Sequence, residues 1–174
     1  MFPSEKFQRC PQCGAPVPPR KPNAPLDCAD CGFHFYFNPS VAAAAIALRA
    51  DGKALFIRRA KDPAKGKLAI PGGFIDIGET AEQALRREFL EEVNVELTHI
   101  RYLCSHPNDY HFRDVTYPVL DFFFSARAHA DSVAVALDDV DEFHWLDPAK
   151  VDLDEIAFPS VRAALEAFLA RPEA

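Results

Sequence analysis

The sequence of 174 residues predicts an α+β fold, in which a mixed β-sheet carries packed helices and is preceded by a small zinc-binding unit. Three observations support this prediction. Strand-like apolar runs and two helical segments follow one another after residue 39. A glycine-rich loop leads directly into a helix that carries its own cap. Four of the five cysteines form two Cys-x-x-Cys pairs near the N-terminus. We therefore expect two domains, residues 1–39 and residues 40–174.

Charge and hydropathy narrow the class of protein. The chain has 19 basic and 26 acidic side chains, and the net charge of −7 disfavours a general affinity for nucleic acid or for an anionic membrane. The longest apolar run, Val41 to Leu48, is much shorter than the roughly 20 residues of a membrane helix. The first residues do not resemble a signal peptide. We expect a cytoplasmic protein, and the sequence leaves open whether it forms a homodimer.

The first 39 residues are rich in turn formers and contain a metal-ligand pattern. They hold eight of the fifteen prolines, and Cys-x-x-Cys-Gly occurs twice. The glycine after each pair lets the backbone turn so that both thiolates face one ion, and two such knuckles complete a tetrahedron suited to zinc. The predicted ligands are Cys10, Cys13, Cys28 and Cys31. Four sulfurs leave no open position for water, which predicts a structural site; iron is the minor alternative.

The elements of the second domain begin with a hairpin. Apolar runs at Val41–Leu48 and Ala54–Ile57 flank Asp51-Gly52, which predicts two strands joined by a tight turn. A short strand at 68–70 then runs into the loop Pro71-Gly72-Gly73.

A helix is expected directly after this loop. Thr80 and Gln83 form a capping box, and Asn94 is suited to the left-handed residue that ends a helix. Dense β-branched and aromatic residues predict three later strands, and apolar periodicity predicts a final helix after Ser160. The three strands are expected at Glu96–Cys104, Val119–Ala128 and Glu142–Leu146.

The first of these helices carries the main chemical signal. Glu88, Glu91 and Glu92 stand at positions i, i+3 and i+4, so three carboxylates share one face and repel one another. A hard cation such as Mg²⁺ would convert this repulsion into coordination. A solvated acidic face is the alternative interpretation of the three glutamates taken alone.

The residues around this helix match a known pattern. Gly73, Glu79, Arg87-Glu88-Phe89, Glu91-Glu92 and Val95 fit G-x5-E-x7-R-E-U-x-E-E-x-G-U, where U is a bulky apolar residue. The segment thus resembles the Nudix box and departs from it only at Asn94, which replaces the second glycine. Because Asn tolerates the left-handed backbone conformation, this departure changes little.

The resemblance to Nudix hydrolases covers most of residues 41–165 and implies an α/β/α sandwich. It also implies hydrolysis of a nucleoside diphosphate linked to another group, with Mg²⁺ or Mn²⁺ as cofactor. By this resemblance Glu88, Glu92 and the Gly73 carbonyl would be metal ligands, and Glu91 a ligand or the catalytic base. Glu79 and Arg87 would form a supporting ion pair. A further catalytic acid is expected from a later loop, where Asp139 and Glu142 are the candidates.

Substrate-binding residues are predicted from charge and aromaticity. Arg58 and Lys67 belong to a basic cluster before the glycine loop that could hold phosphate oxygens, although a solvated strand edge gives the same pattern. Tyr110, Phe112 and Tyr117 could stack on a base, or could simply pack in the fold.

A zinc ribbon before a Nudix domain is similar to the NADH pyrophosphatase branch. Of that branch's motif S-Q-P-W-P-F-P-x-S, only Ser105 and Pro107 match here. The expected substrate is therefore a small nucleotide: NADH, NAD, ADP-ribose or a related dinucleotide. A non-catalytic protein that senses a nucleotide, with a ribbon that binds nucleic acid or protein, is the alternative. All box carboxylates are present, and the ribbon's excess of one basic side chain is a weak basis for binding nucleic acid.

Overall fold

A computed structural model describes residues 1–171. The chain divides into two compact units. The first unit comprises Met1–Ser40 and Asp109–Val119, and the second comprises Val41–Asn108 and the chain from Leu120 onward. The last three residues of the expected domain 40–174 lie outside the described residues.

The chain forms nine strands, three α-helices and two single-turn 3₁₀ helices within the described range. The strands are β1 (Leu26–Asp27), β2 (His34–Phe35), β3 (Ser40–Leu48), β4 (Ala54–Arg59), β5 (Leu68–Ala69), β6 (Gly72–Phe74), β7 (Leu97–Phe112), β8 (Val115–Ala128) and β9 (Val140–Leu146). The α-helices are α1 (Pro3–Lys6), α2 (Ala81–Val93) and α3 (Pro159–Leu169), and the 3₁₀ turns are Pro148–Lys150 and Leu153–Glu155. No helix among these residues is both long and apolar enough to cross a membrane.

Seven strands form one sheet in the order β5-β4-β3-β8-β7, with β6 paired to β3 and β9 paired to β4. The predicted hairpin is confirmed, since β3 and β4 pair antiparallel with Leu48 opposite Ala54. The two-stranded β1–β2 sheet lies in the first unit.

The two faces of the large sheet are covered by different helices. Leu55 of β4 packs in one apolar cluster with Leu85 and Phe89 of α2. The next residue along β4, Phe56, packs in a second cluster with Leu165 of α3. Because successive strand residues point to opposite faces, α2 and α3 lie on opposite sides of the sheet. The predicted α/β/α sandwich is therefore confirmed.

Helix α2 begins and ends where the sequence predicts. The Gln83 backbone N–H donates to Thr80 Oγ1 at 3.2 Å, and the Thr80 N–H donates to Gln83 Oε1 at 2.8 Å. Asn94 ends the helix with φ 54° and ψ 40°, and its backbone N–H donates to the Leu90 carbonyl. Asparagine thus fills the left-handed position that the Nudix box pattern assigns to glycine.

The expected strands after α2 are too short. Strand β7 continues from Leu97 to Phe112 and β8 begins at Val115, so that the polar segment after Ser105 belongs to a long hairpin. Pro107 lies within β7, which is the last strand in the order, where a missing backbone N–H costs little. The glycine loop also contributes a strand, β6, that was not predicted.

A buried carboxylate secures the start of α3. The N-cap residue, Phe158, provides no side-chain cap, and Pro159 follows it. The Ser160 hydroxyl donates to Asp121 Oδ2 of β8 at 2.7 Å, and burial raises the pKa of Asp121. The sheet therefore places an acidic group close to the helix N-terminus, where the helix dipole favours negative charge.

Candidate active site

The two glycines of β6 allow a very close approach of backbone and side chain. Gly72 lies opposite Ala44 of β3, and a Cβ atom at Gly72 would come within 2.2 Å of the Ala43 carbonyl oxygen. At Gly73 a Cβ atom would lie 2.4 Å from Glu88 Oε1. A side chain at Gly72 would push the loop away from the β3 backbone, whereas one at Gly73 would displace the Glu88 carboxylate from its position. Both glycines are therefore required for this geometry.

Arg87 connects the loop to the acidic helix. Its Nε and Nη2 donate to the two carboxylate oxygens of Glu79, each at 2.9 Å, and Nη2 also donates to the Phe74 carbonyl. Nη1 donates to Glu88 at 2.7 Å and to Glu91 at 3.2 Å. The hydrogen bonds from Arg87 lower the pKa of Glu79 to about 2, and Glu79 and Glu88 in turn raise the pKa of Arg87.

The carboxylates differ in exposure. Glu92 is largely enclosed, and burial raises its pKa to about 8 although its Oε2 accepts the Gly72 backbone N–H at 3.0 Å. Burial also raises the pKa of Glu88, whose side chain is 15% exposed. The side chain of Glu91 is 56% exposed. Two enclosed carboxylates beside the Gly73 backbone offer the oxygen donors that Mg²⁺ or Mn²⁺ prefers, so these residues fit such an ion.

The two later acids lie in different places. The Asp139 carbonyl accepts the Ala60 backbone N–H at 3.1 Å, and the negative charge of Asp139 contributes to the raised pKa of Glu92. Glu142 lies opposite Arg58 in the β4–β9 register and accepts a 2.7 Å hydrogen bond from Arg58 Nε, which lowers the pKa of Glu142.

The β4–β9 register also gives the face on which Glu142 lies. His144, two residues further along β9, lies opposite Phe56, whose ring packs on the α3 side of the sheet. Glu142 therefore points away from α2. Of the two candidates, the structure brings only Asp139 towards Glu92.

Arg58 and Lys67 come together, but not beside the box glutamates. Lys67 Nζ lies 3.3 Å from Glu155 Oε1, and Arg58 Nη1 lies 3.9 Å from the other oxygen of the same carboxylate. Both cations thus have carboxylate partners on the α3 side of the sheet. Their predicted role in binding phosphate stays a prediction.

Arg59 belongs to the same predicted basic cluster, although Arg58 and Lys67 were the residues selected from it for substrate binding. Because successive strand residues project to opposite faces, Arg59 projects to the side opposite Arg58. The register of β9 shifts here from Glu142 to Val140 and leaves Asp141 unpaired. Arg59 Nε donates to the Pro63 carbonyl at 2.7 Å, and its guanidinium lies 5.1 Å from the centre of the Phe158 ring. Its positive charge acts on Glu92 and opposes the rise in the pKa of that carboxylate.

The three predicted stacking rings lie on the long hairpin. Tyr110 and Phe112 belong to the end of β7 and Tyr117 to the start of β8, all within the first unit. The Arg113 guanidinium lies 5.2 Å from the centre of the Phe112 ring. The box glutamates belong to the second unit, and a role for the three rings in binding the substrate stays a prediction.

The four cysteines of the first unit form a compact cluster. All four Sγ atoms lie within 4.8 Å of one another, with Cys10 and Cys31 3.7 Å apart and Cys13 and Cys28 3.6 Å apart. Sulfurs bound at about 2.3 Å to one tetrahedral ion would be about 3.8 Å apart, so the cluster fits zinc. Within the described chain it is the one group of three or more Cys, His, Asp or Glu residues whose ligand atoms all lie within 4.8 Å of one another.

The thiols of this cluster differ in acidity. Burial disfavours the Cys10 thiolate, but backbone hydrogen bonds from Cys13 and Gln12 lower its pKa to about 7. A backbone hydrogen bond from Phe33 favours the Cys31 thiolate, yet burial and the neighbouring sulfurs raise its pKa to about 12. Full ionisation of all four thiols therefore requires a bound cation.

Known proteins resemble this chain in sequence and in fold. The sequence profile of the NUDIX domain family matches residues 38–168. The NAD-capped RNA hydrolases NudC of Salmonella heidelberg (strain SL476) and Salmonella typhi are each 34% identical over 105 residues, or 60% of this chain. The matched part spans only 39% of the length of these relatives.

Solved structures give the same fold. A NUDIX hydrolase from Nitrosomonas europaea superimposes with a TM-score of 0.73 at 27% identity, over 92% of this chain and 89% of that chain. The NUDIX domain of Shewanella oneidensis NrtR, solved with ADP ribose, gives a TM-score of 0.62 at 22% identity, over 76% and 87% of the two chains. At that lower identity the likeness shows the fold alone.

The raised pKa of Glu92 predicts a pH-dependent effect of Glu92→Gln on stability. Ionised Glu92 is disfavoured in the fold, so its contribution to stability is lost as the pH rises from the ordinary pKa of 4.5 towards 8. Without added Mg²⁺, we expect Glu92→Gln to raise the free energy of unfolding by at least about 1 kcal/mol at about pH 8 and to change it little at about pH 5.

Urea unfolding at the two pH values measures this difference. Glu82→Gln, an exposed change on the same helix, is the control and should shift stability by less than about 1 kcal/mol at both pH values. An equal effect of Glu92→Gln at both pH values would contradict the assignment of the penalty to the ionised carboxylate.

Proposed function

The chain belongs to the NUDIX domain family, and from this premise we propose that it hydrolyses the diphosphate bond of a nucleoside diphosphate linked to another group, with Mg²⁺ or Mn²⁺. The observation that carries the proposal is the enclosed pair Glu88 and Glu92 beside the Gly73 backbone, supported by the Arg87–Glu79 ion pair. Carboxylates whose ionisation is opposed by burial become favourable ligands once a cation is present.

The proposed roles of the box residues follow from the exposure of their side chains. Glu88, Glu92 and the Gly73 carbonyl would hold the ion, which neutralises diphosphate oxygens and lowers the pKa of a coordinated water when it is bound. Glu91 is the most exposed of the three helical glutamates, and Arg87 holds one of its oxygens. We assign Glu91 to accept a proton from the attacking water. Asp139, whose charge acts on Glu92, is assigned as the further acid from the later loop.

Arg59 is assigned to bind a substrate phosphate. Only its Nε has a hydrogen-bond partner among residues 1–171, and the Phe158 ring supports its guanidinium. The Nη groups of Arg59 are thus available to make charge-assisted hydrogen bonds to phosphate oxygens close to Glu92.

The relatives narrow the substrate class. NudC is named for hydrolysis of NAD-capped RNA, and NAD is a diphosphate that joins adenosine to a second nucleoside. We propose that the substrate is NADH, NAD, ADP-ribose or an RNA capped by NAD, cut within the diphosphate to give two monophosphates.

The main test is hydrolysis of this panel by the wild-type protein with and without Mg²⁺. We expect turnover only with the metal, and Glu91→Gln should lower kcat by about 10²- to 10⁴-fold because it removes the proposed base. Glu82→Gln is the matched control and should leave kcat unchanged. If the wild type cleaves none of these compounds with Mg²⁺ or Mn²⁺, the proposed enzymatic activity is overturned in favour of a nucleotide-sensing role. A strong preference for nucleoside triphosphates would overturn only the substrate class.

Arg59 and its neighbour Arg58 form a matched pair for the phosphate assignment. Loss of a charge-assisted hydrogen bond costs about 1.5–3 kcal/mol, so Arg59→Gln should raise KM for the best substrate by about 10-fold or more. Arg58→Gln should change KM less than about 3-fold, because its partners are Glu142 and Glu155. Steady-state kinetics of the two variants compares their KM values. A larger rise in KM for Arg58→Gln than for Arg59→Gln would assign the phosphate contact to Arg58 instead.

We also propose that the cysteine cluster holds a structural zinc ion. Elemental analysis of the purified protein should give about one zinc per chain. Cys28→Ser should lose the ion and unfold the first unit before the second, because metal binding supplies much of the folding free energy of such small units. Cys104→Ser, which lies outside the cluster, should keep its zinc. A wild-type protein that contains neither zinc nor iron would rule out the metal site.

A further inference from the structure

Two hollows in the first unit share Phe7 and Gln8. One, here called the proline hollow, has a volume of about 490 Å³ and is lined by Ser4, Pro18, Pro19 and Arg20 in addition to these two residues. The other, here called the basic hollow, has a volume of about 400 Å³ and is lined by Lys6, Phe7, Gln8 and Arg9. Both volumes lie in the range of about 300–1,000 Å³ that is usual for small ligands.

Two residues that line the proline hollow each have a buried polar atom without a hydrogen-bond partner within the described chain. Ser4 is only 3% exposed, yet its Oγ makes no hydrogen bond within the described chain, and neither does the buried Nε of Arg20. Buried polar groups are nearly always hydrogen-bonded in folded proteins. Arg20 itself is fixed, since Nη2 donates to the backbone carbonyls of Ser4 at 2.8 Å and Phe7 at 3.1 Å. Both atoms have almost no accessible surface and do not themselves reach a ligand; the group that the hollow offers is the Arg20 guanidinium, held in place by these two carbonyls.

The charge around the hollows suits an anion. Arg9 and Arg20 donate only to backbone carbonyls and have no carboxylate partner among residues 1–171. Lys6 is paired with Asp114. Glu5, the one acid that lines either hollow, accepts the Phe2 backbone N–H at 2.6 Å. Two guanidinium charges are therefore left without an opposing side chain.

Phe7 provides a fixed flat surface between these charges. Its ring is 38% exposed, stacks on Phe35 at a centroid distance of 6.3 Å, and meets Phe37 edge-on at 5.2 Å. A ring held on one side and open on another can stack on a base at little entropic cost. An exposed ring flanked by uncompensated guanidinium groups is the combination used by proteins that bind single-stranded nucleic acid.

We propose that the first unit binds single-stranded RNA, with a base stacked on Phe7 and with phosphates held by Arg9 and Arg20. The inference rests on the proposed function, in which the substrate class includes capped RNA. A single strand is specified because only unpaired bases are free to stack on a side chain. The overall charge of −7 argues against general binding of nucleic acid, but the charge lining these hollows has the opposite sign.

The test measures binding of an uncapped RNA of about ten nucleotides to the full-length, zinc-loaded protein by fluorescence anisotropy. Phe7→Leu keeps an apolar side chain but removes the flat ring, and should weaken binding about 5- to 100-fold, while Phe7→Trp should restore it. Tyr36→Ala removes an exposed ring of the same unit that lines neither hollow, and should change Kd less than about 2-fold. Arg9→Gln should reduce the slope of log Kd against log salt by about 0.7.

Three results would overturn the proposal. They are the absence of saturable binding at about 50 mM salt, equal affinities of the wild type and Phe7→Leu, or a change in the oligomeric state of Phe7→Leu without RNA. The last result would identify the surface as an interface between two copies of the chain.

Hydrolysis of NADH with Mg²⁺ separates this proposal from the proposed function. Phe7→Leu should leave that reaction unchanged. If the protein hydrolyses NADH but does not bind RNA, only the proposed RNA site is overturned. If it binds RNA but hydrolyses nothing, only the proposed enzymatic activity is overturned.

Discussion

The acidic helix depends on the ion pairs that Arg87 makes with the neighbouring glutamates. Three glutamates within two helical turns repel one another, and an enclosed carboxylate with no partner destabilises a fold by several kcal/mol. Arg87 opposes both effects, because one planar guanidinium donates to Glu79, Glu88 and Glu91 together. The same group reaches the Phe74 carbonyl of β6, so that strand, loop and helix share one cation. Since arginine stays protonated at every pH relevant to proteins, this connection persists while Glu92 titrates.

The glycine pair imposes a second constraint that has nothing to do with charge. Gly72 is confined by the backbone of β3 and Gly73 by the carboxylate of Glu88. A side chain at the first position would collide with the sheet, and one at the second would displace the Glu88 carboxylate from its position. The proposed role of Glu88 as a metal ligand thus depends on two residues that have no side-chain functional group. Their contribution is the absence of a Cβ atom.

Local signals in the sequence predicted local structure well, but they did not predict features that depend on pairing between distant strands. The capping box at Thr80 and the left-handed Asn94 involve residues within a few positions of each other, so the residue types suffice. The choice between Arg58 and Arg59 could not be made from sequence, because it depends on which face of β4 packs against α2. Glu142 was an equal candidate to Asp139 for a similar reason. The face of the sheet on which its side chain lies is set by the register of β9 with β4. The length of the hairpin was missed because the strands were predicted from dense β-branched and aromatic residues, whereas residues 105–112 are largely polar and pair in an edge strand.

The first unit is discontinuous in the chain, and this has a consequence for its biosynthesis. The Thr116 backbone N–H donates to the Met1 carbonyl, and Lys6 pairs with Asp114, so residues about a hundred positions apart complete one compact unit. At a translation rate of about 5–20 residues per second, the N-terminal segment leaves the ribosome roughly 5–20 s before its partners on the hairpin. The cysteine cluster, whose ligands all lie within the first 31 residues, is complete long before that. With the zinc ion proposed for this cluster, nascent chains should therefore bind metal first and order their N-terminal residues last.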